Sequence, residues 1–293
     1  MADKYKNKII VGETLKVLKS LPDEIVDVGV TSPPYNKQEK NKGWLVKNVL
    51  YSDYKDKLPE DEYQNNQVEV LNEIYRITKP GGAFFYNHKT RWENGQMFHP
   101  IDWLRKTKWV IRQEIIWDRS IAANIRGWRF WQLDERIYWL HKSYDNLDKK
   151  GIELESRHAL LGSIWRFIPE RNVQHPAPFP LLLPTRIVYS ILNDTKGLVL
   201  DPYIGSGTTA VAAKLLGHDY LGVDISEEYV KYAENRIRNC EHERVTVNQE
   251  VGLHKVKKTF AERKMEGAFV GRHRKHNPTL LPTPSFDLGF GPG

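Results

Sequence analysis

The sequence is poor in the features that mark secreted, zinc-binding and membrane-spanning proteins. Its 293 residues include one cysteine, Cys240, which cannot form an internal disulfide, and no Cys/His cluster has zinc-ligand spacing. No apolar run approaches the roughly 20 residues of a membrane helix, and the first residues contain no apolar signal core. We therefore expect a cytoplasmic protein without a membrane partner and without a metal.

Basic charge is present in excess, and it is placed unevenly. The formal net charge is +7, and a hydrophobic content of 40% suffices for a sizeable core. Over 251–293, eight Lys or Arg residues stand against three acidic ones. Phosphate backbones attract such segments without sequence selectivity. We predict one domain over 1–245 and a basic tail over 246–293, which is either a nucleic-acid arm or a solvated end.

The residues Thr31 to Asn36 read Thr-Ser-Pro-Pro-Tyr-Asn and follow an apolar, β-branched run. Because proline cannot donate to a sheet ladder, this pattern predicts a buried strand that stops abruptly. Ligands bind at the carboxyl ends of strands in open α/β sheets. Ser32 Oγ and the Pro33 carbonyl could accept the hydrogens of an amine on a planar ring, on which Tyr35 could stack. A proline turn with a core tyrosine is the alternative.

A second motif covers 197–209, where an apolar strand enters the turn Asp-Pro-Tyr-Ile-Gly-Ser-Gly-Thr-Thr and then a helix. Glycines let a ligand approach the backbone, and the helix amino end favours a negative group. A following strand ends at Asp224, an acid that by analogy with dinucleotide sites can bind ribose hydroxyls. The glycines do not match a phosphate-binding P-loop. A purely structural strand, turn and helix is the alternative.

Together these motifs resemble those of the site-specific DNA amino-methyltransferases of restriction-modification systems. In that family Ser/Asp/Asn-Pro-Pro-Tyr/Phe is the catalytic motif, and Asp-Pro-Phe/Tyr-x-Gly-Ser-Gly-Thr-Thr belongs to the cofactor site. The catalytic motif comes first here, as in the circularly rearranged β group. The resemblance covers roughly residues 8–240. It implies an α/β, Rossmann-like S-adenosylmethionine-dependent methyltransferase fold, with a mostly parallel sheet, helices on both faces and inserted DNA-recognition loops.

The resemblance also implies the cofactor, S-adenosyl-L-methionine, and the site residues. The catalytic residues would be Ser32, Pro33, Pro34 and Tyr35. The cofactor-binding residues would be Glu13, Thr31, His175, Pro176, Asp201, Tyr203, Gly205, Ser206, Gly207, Thr208, Thr209 and Asp224. Glu13 would lie near the adenine, although an acid at a helix start is equally well explained by the helix dipole. His175 and Pro176 would border the methionine part of the cofactor.

Double-stranded DNA is the partner that the resemblance implies. We predict recognition loops at about 37–60, 118–133 and 143–160. The residues predicted to contact DNA are Lys40, Lys42, Arg119, Arg126 and Arg129. Arginines interleaved with aromatics suit phosphate contact and base stacking, although the aromatics suit core positions under a loop equally well.

The acceptor stays open between two amines. Enzymes that methylate a ring carbon of cytosine use a cysteine after a proline, whereas Cys240 follows Asn239, so we expect a surface or half-buried thiol and a nitrogen acceptor. In the family Thr-Ser-Pro-Pro-Tyr goes mostly with N4 of cytosine. A neutral serine is also a weaker acceptor than a carboxylate. Asn36, frequent in adenine enzymes, keeps N6 of adenine as an alternative. An RNA or protein-amide acceptor and a non-catalytic DNA-binding module are further alternatives.

The resemblance implies a prokaryotic or phage-encoded enzyme. A cognate restriction endonuclease is a candidate partner, and the protein would be a monomer or a homodimer. Apolar periodicity predicts further elements. We expect strands at 83–87, 109–117 and 135–142 and helices at 62–78, 101–106, 183–192, 210–217 and 226–240. The last helix should turn Tyr229, Tyr232, Ala233 and Ile237 inward.

Overall fold

The computed structural model describes residues 2–36, 58–121, 127–144, 162–169, 179–254 and 260–267. Ten strands lie in these ranges: β1 (Lys8–Val11), β2 (Val26–Thr31), β3 (Thr78–His88), β4 (Arg91–Glu93), β5 (Gln96–Phe98), β6 (Val110–Asp118), β7 (Asp134–His141), β8 (Ile164–Arg166), β9 (Leu198–Asp201) and β10 (Asp219–Asp224). The helices are α1 (Thr14–Ser20), α2 (Glu60–Ile77), α3 (Ile101–Leu104), α4 (Leu182–Leu192), α5 (Thr208–Leu215), α6 (Glu227–Arg238), α7 (Arg244–His254) and α8 (Phe260–Met265). No helix in the described ranges is long and apolar enough to cross a membrane.

Eight strands form one sheet in the order β1-β10-β9-β2-β3-β7-β6-β8. The pairs from β1 to β3 are parallel, β7 is antiparallel to both β3 and β6, and β8 is parallel to β6. Only β7 therefore runs against the other strands of this sheet. Its amino end lies at the same edge as their carboxyl ends. The strands β4 and β5 form a separate hairpin.

Helices cover both faces of the sheet. On one face, α1, α2 and α3 pack their apolar residues against Phe84, Tyr86 and Leu200. On the other, α4 packs against Val28, Phe85 and alternate residues of neighbouring strands. Successive residues of a strand point to opposite faces, which explains why Phe84 and Phe85 belong to different clusters. The predicted α/β fold with a mostly parallel sheet and helices on both faces is confirmed.

The predicted helices and strands are present, with ends that differ by a few residues, and two details of burial differ from expectation. The inward side of α6 consists of Val230, Ala233 and Ile237, while Tyr229 and Tyr232 are half-buried. Cys240 is completely buried, so the prediction of a surface or half-buried thiol was wrong. It follows α6 in a 3-10 turn that packs on α5, and it lies among apolar side chains.

The predicted division at residue 245 stays a prediction, and α7 runs across it. Val247 is buried beside α5, and the Arg186 Nε atom lies 2.6 Å from an oxygen of Glu250. Both side chains of this ion pair are buried. The packed part of the chain therefore continues into α7, at least as far as Glu250. Most of the predicted tail lies outside the described residues.

Candidate active site

The two sequence motifs meet at one edge of the sheet. Strand β2 lies between β9 and β3, so the ends at Thr31 and Asp201 are neighbours. Asp224 ends the next strand, β10, in parallel register with β1. Since β7 is reversed, it brings Glu135 to this edge beside Asn87 and His88 at the end of β3. The site is therefore built from five strands that are distant in sequence.

Asp201 ties the two motifs together. Thr31 Oγ1 donates to its carboxylate at 2.7 Å, Thr209 Oγ1 at 2.6 Å and the Tyr203 backbone N–H at 3.1 Å. Asp201 is 1% exposed. Burial raises the pKa of Asp201 to about 7, although these hydrogen bonds favour the charged form. The carboxylate thus holds the end of β2, the turn and the start of α5 in one arrangement.

The glycine-rich turn is shaped mainly by its backbone. Gly205 and Gly207 have φ of 49° and 81°, in the left-handed region that other residues rarely adopt. A Cβ on Gly207 would also lie 3.0 Å from the Cβ of Ala233. The hydroxyl residues Ser206, Thr208 and Thr209 are buried, and Arg236 donates to Thr208 Oγ1 at 2.9 Å. These side chains support the turn from within the protein.

Two acids flank the turn on the side of β1 and β10. Asp224 is half-buried, and its two carboxylate oxygens accept from the backbone N–H groups of Gly205 and Ser226, each at 2.9 Å. Glu13 caps α1 by accepting from the N–H groups of Leu15 and Lys16, also at 2.9 Å. The structure therefore gives Glu13 the helix-capping role. A role of Glu13 beside the cofactor stays a prediction.

Tyr63 on α2 holds the proline turn that follows β2. The Tyr63 hydroxyl donates to the Pro34 carbonyl at 2.8 Å and lies 2.7 Å from Nε2 of His88. The His88 ring packs against Tyr35, with centroids 4.5 Å apart and planes inclined by 45°. Burial lowers the pKa of His88 well below its ordinary value, so the imidazole is neutral at pH 7. The turn is therefore fixed by packing and by a backbone contact.

A polar network lies beside the turn. The Tyr35 hydroxyl donates to Oε2 of Glu135 at 2.9 Å and lies 2.5 Å from Ser32 Oγ. The Asn87 Nδ2 atom donates to the Tyr35 hydroxyl at 2.9 Å and to Glu135 at 2.8 Å. Arg119 donates to the other oxygen of Glu135 at 2.8 Å. Burial, followed by the charge of Glu135, raises the pKa of Tyr35 well above its ordinary value, so the hydroxyl keeps its proton.

The predicted DNA contacts are placed in different ways. Lys40, Lys42 and Arg126, with His175 and Pro176 of the predicted cofactor site, lie outside the described residues. Arg119 is turned toward Glu135, and its side chain is only 21% exposed. The Arg129 guanidinium lies over the Trp92 ring, 4.2 Å from its centroid. The contact of each arginine with DNA stays a prediction.

Aromatic residues beside Arg129 are on the surface. Phe130 is 99% exposed, and Trp128 and Trp131 are more than half exposed. Of the two possibilities left open by the sequence, core positions are therefore excluded for these three residues. An aromatic surface of this kind, defined here as residues 127–133, continues directly into β7 and hence to Glu135.

Four residues of the site were not predicted from the sequence: Tyr63, Asn87, His88 and Glu135. Glu135 and Asn87 were visible only as polar residues at the ends of predicted strands. The described residues contain no group of three or more His, Cys, Asp or Glu arranged to hold a metal. A shallow cavity of about 530 Å³ lies near His218 and Asp219, at the opposite edge of the sheet.

Comparisons with known proteins agree with the motifs. The family model described as DNA methylase matches residues 26–235. A type II methyltransferase of Bacillus subtilis, M.BglII, is 30% identical over 263 residues, which cover 78% of this chain and 68% of that protein. The DNA adenine methyltransferase YhdJ of Escherichia coli is 26% identical over 261 residues, covering 80% and 83% of the two chains.

A solved structure shares the fold. It is the structure of a Thermus thermophilus protein, TTHA0409, described as a DNA modification methylase and complexed with S-adenosyl-L-methionine. The TM-score is 0.58 at 25% identity, and the superposition covers 79% of this chain and 94% of that one.

Proposed function

The chain belongs to the DNA methylase family, and on that premise we propose that it methylates N4 of cytosine at a specific site in DNA. It is an S-adenosyl-L-methionine-dependent DNA amino-methyltransferase. Family membership favours DNA over the RNA and protein acceptors that the motifs alone left open. The choice of cytosine rests on one observation: Ser32 places a neutral hydroxyl at the end of β2, beside the buried network of Tyr35 and Glu135.

The residues of the glycine-rich turn fit the cofactor. Asp224 is half-buried at the end of β10, and its carboxylate lies against the glycine-rich turn, where it accepts from the backbone N–H groups of Gly205 and Ser226. Asp224 would thus bind the ribose hydroxyls. Gly205 and Gly207 would let the ligand approach the backbone, with Tyr203 and Thr31 beside it. When bound, S-adenosyl-L-methionine supplies a methyl group whose bond to sulfur breaks as a bond to the amine nitrogen forms, and the methylated amine then releases a proton to water.

This chain's own residues would orient the amine. An amine on an aromatic ring is a poor nucleophile because its lone pair is delocalised into the ring. Ser32 Oγ and the Pro33 carbonyl would accept the two amine hydrogens and hold the nitrogen in line with the methyl group. Orientation of this kind supplies much of the rate of such reactions. Tyr35 would pack on the base. Because its side chain is only 8% exposed, stacking on a base would require neighbouring groups to move.

DNA would be held by the aromatic surface at 127–133. Arg129 packs on Trp92, and the exposed rings of Trp128, Phe130 and Trp131 are available to stack on bases. The target base must leave the helix stack to reach Ser32, at a cost of a few kcal/mol. An aromatic side chain that fills the vacated space would offset part of this cost. We also propose that the enzyme serves a restriction-modification system, as a monomer or homodimer with a cognate endonuclease.

Methylation of N6 of adenine is the second candidate. It is favoured by Asn36 after the proline turn and by the similarity to YhdJ, which is named for adenine. Asn36 makes two hydrogen bonds with the backbone of Leu58, at 2.7 and 3.0 Å. In this structure Asn36 therefore fastens the start of the segment that leads to α2.

Mass spectrometry of nucleosides tests the proposal. DNA of varied sequence is incubated with the protein and labelled S-adenosyl-L-methionine and then digested to nucleosides. We expect the label in N4-methylcytosine. Label in N6-methyladenine would keep the enzyme class and overturn the base assignment. If cofactor binding is verified and neither nucleoside carries the label, the proposed activity is overturned.

A further inference from the structure

A continuous chain of polar atoms leads from Ser32 into the protein. Ser32 Oγ lies 2.5 Å from the Tyr35 hydroxyl oxygen, which donates to Oε2 of Glu135 at 2.9 Å. Glu135 is 7% exposed, and Arg119 donates to its Oε1 at 2.8 Å. A buried carboxylate is costly without a charged partner, and Arg119 supplies one. The proline motif is therefore connected to an ion pair that lies more than 80 residues further along the chain.

The carboxylate fixes the direction of these hydrogen bonds. An ionised carboxylate can only accept, so Tyr35 gives its one hydroxyl proton to Glu135. The Ser32 hydroxyl must then donate to the Tyr35 oxygen. The lone pairs of Ser32 Oγ, which the Asn87 Nδ2 atom approaches at the long distance of 3.4 Å, can accept from the substrate amine. The orientation of the Asn87 amide is consistent with an ionised acceptor. Its Nδ2 group donates to Glu135, whereas a flipped amide would place its oxygen against the carboxylate.

We propose that Glu135 is a positioning residue that acts through the Tyr35 hydroxyl to make Ser32 an oriented and polarised acceptor for the target amine. The inference rests on the proposed function. A neutral hydroxyl is a weaker acceptor than a carboxylate. Hydrogen bonds in a chain polarise one another, and more so in a low-dielectric interior. Ser32 thereby gains part of the acceptor strength of a carboxylate that lies two hydrogen bonds away.

This proposal gives the hydroxyl and the ring of Tyr35 different functions, which can be tested separately. Base stacking needs only the ring, which Tyr35→Phe retains. The polarised chain needs the hydroxyl, which Tyr35→Phe removes. Glu135→Gln breaks the chain at its other end, because a neutral amide can donate to Tyr35 and so allow the Ser32 hydroxyl proton to turn toward the substrate. The two variants should have the same defect, since each interrupts one chain.

The test is a double-mutant cycle on full-length protein whose wild type methylates DNA. We expect Tyr35→Phe and Glu135→Gln each to lower kcat about 10- to 100-fold, as is typical for loss of a hydrogen bond to a charged group. KM for DNA and the affinity for S-adenosyl-L-methionine should stay within about twofold of wild type. The double variant should be no slower than the slower single variant, because the second change removes nothing further.

Tyr86→Phe is the matched control. The Tyr86 hydroxyl is also buried, donates to Gln67 at 2.9 Å and accepts from Trp103, but these contacts lie outside the polar chain. Its kcat should equal that of wild type. Thermal unfolding of each variant checks the fold, and Tyr35→Phe carries the test if Glu135→Gln does not fold.

Three results would overturn the inference alone: wild-type kcat in Tyr35→Phe, single-variant losses that multiply in the double variant, or an equal loss in Tyr86→Phe. A wild-type protein that labels no DNA would overturn both the inference and the proposed function.

Discussion

The two halves of the site use their motif residues in opposite ways. In the cofactor half, the polar side chains of the turn face inward, where Thr31 and Thr209 bind Asp201. In the acceptor half, Ser32 and Tyr35 join Asn87 on β3, Glu135 on β7 and Arg119 just after β6, which belong to neither motif. On the proposed function, a conspicuous motif therefore serves as a scaffold in one half and contacts the substrate in the other. Variants in the acceptor half should change turnover, and most variants in the cofactor half should change folding or cofactor binding.

The largest effect is expected for Ser32→Ala. Loss of the acceptor hydroxyl should lower kcat about 100-fold, as for removal of other preorganised hydrogen-bonding groups. This corresponds to a rise of about 3 kcal/mol in the activation free energy. Steady-state kinetics with saturating cofactor measures this, and thermal unfolding should change little because Ser32 is only half-buried. Ser20→Ala, at an exposed position of α1, is the control. An unchanged kcat in Ser32→Ala would remove the contrast between the halves.

Gly207→Ala should affect folding. The added Cβ would be held at φ of 81° and would lie 3.0 Å from the Ala233 Cβ. We expect a loss of about 2 kcal/mol in the free energy of unfolding. Gly217→Ala is the matched control, because Gly217 has φ of 86° with nothing within 4 Å of the added atom. Chemical denaturation that shows equal losses in both variants would leave backbone strain as the whole effect and exclude a contribution from packing.

Asp224→Asn should weaken cofactor binding. The substitution removes the charge and one of the two acceptor oxygens that hold Gly205 and Ser226. We expect the Kd for S-adenosyl-L-methionine to rise about tenfold, or about 1.4 kcal/mol. Isothermal titration calorimetry measures this, with Glu228→Gln on the exposed surface of α6 as the control. Wild-type affinity in Asp224→Asn would show that the ribose is held elsewhere.

The pKa of Asp201 gives a pH dependence of stability. Burial raises this pKa to about 7 from an ordinary value near 3.8, so between these values the folded state binds more protons than the unfolded state. The contribution of Asp201 to stability should therefore fall as pH rises through this window, by up to about 1.4 kcal/mol per pH unit. Denaturation of wild type and Asp201→Asn from pH 5 to 7 measures it. The wild-type advantage should shrink with rising pH, and a growing advantage would contradict the assignment.

The smallest effect is expected for Phe130→Ala, which lies outside both halves. Loss of one stacking ring should weaken DNA binding by about 1 kcal/mol and leave the salt dependence unchanged, because no phosphate contact is removed. Fluorescence anisotropy at several salt concentrations measures both quantities. Leu253→Ala, an exposed change on α7, is the control. A changed salt dependence would instead show that the ring holds a basic side chain in contact with a phosphate.

The sequence was sufficient to predict most of the strands and helices and the meeting of the two motifs, whereas the β4–β5 hairpin and α7 were not predicted. Abrupt strand ends at Thr31, Asp201 and Asp224 are local signals, and parallel strands carry such ends to one edge. The partnership of Tyr35 with Glu135 was not predictable, because it depends on the reversal of β7 and on its register with β3. The burial of Cys240 likewise depends on how the turn after α6 packs on α5, which helical periodicity does not determine.

The aromatic surface and Glu135 lie on one short stretch of chain, with Leu133 receiving a backbone hydrogen bond from Arg119 at 2.8 Å. If this surface selects the DNA sequence, the same stretch also sets the strength of the acceptor. Substitutions that give the enzyme a new target would then also alter its turnover. Lineages that change specificity should therefore pass through slow intermediates, and grafting a foreign loop here should require the partners of Glu135 to be transferred with it.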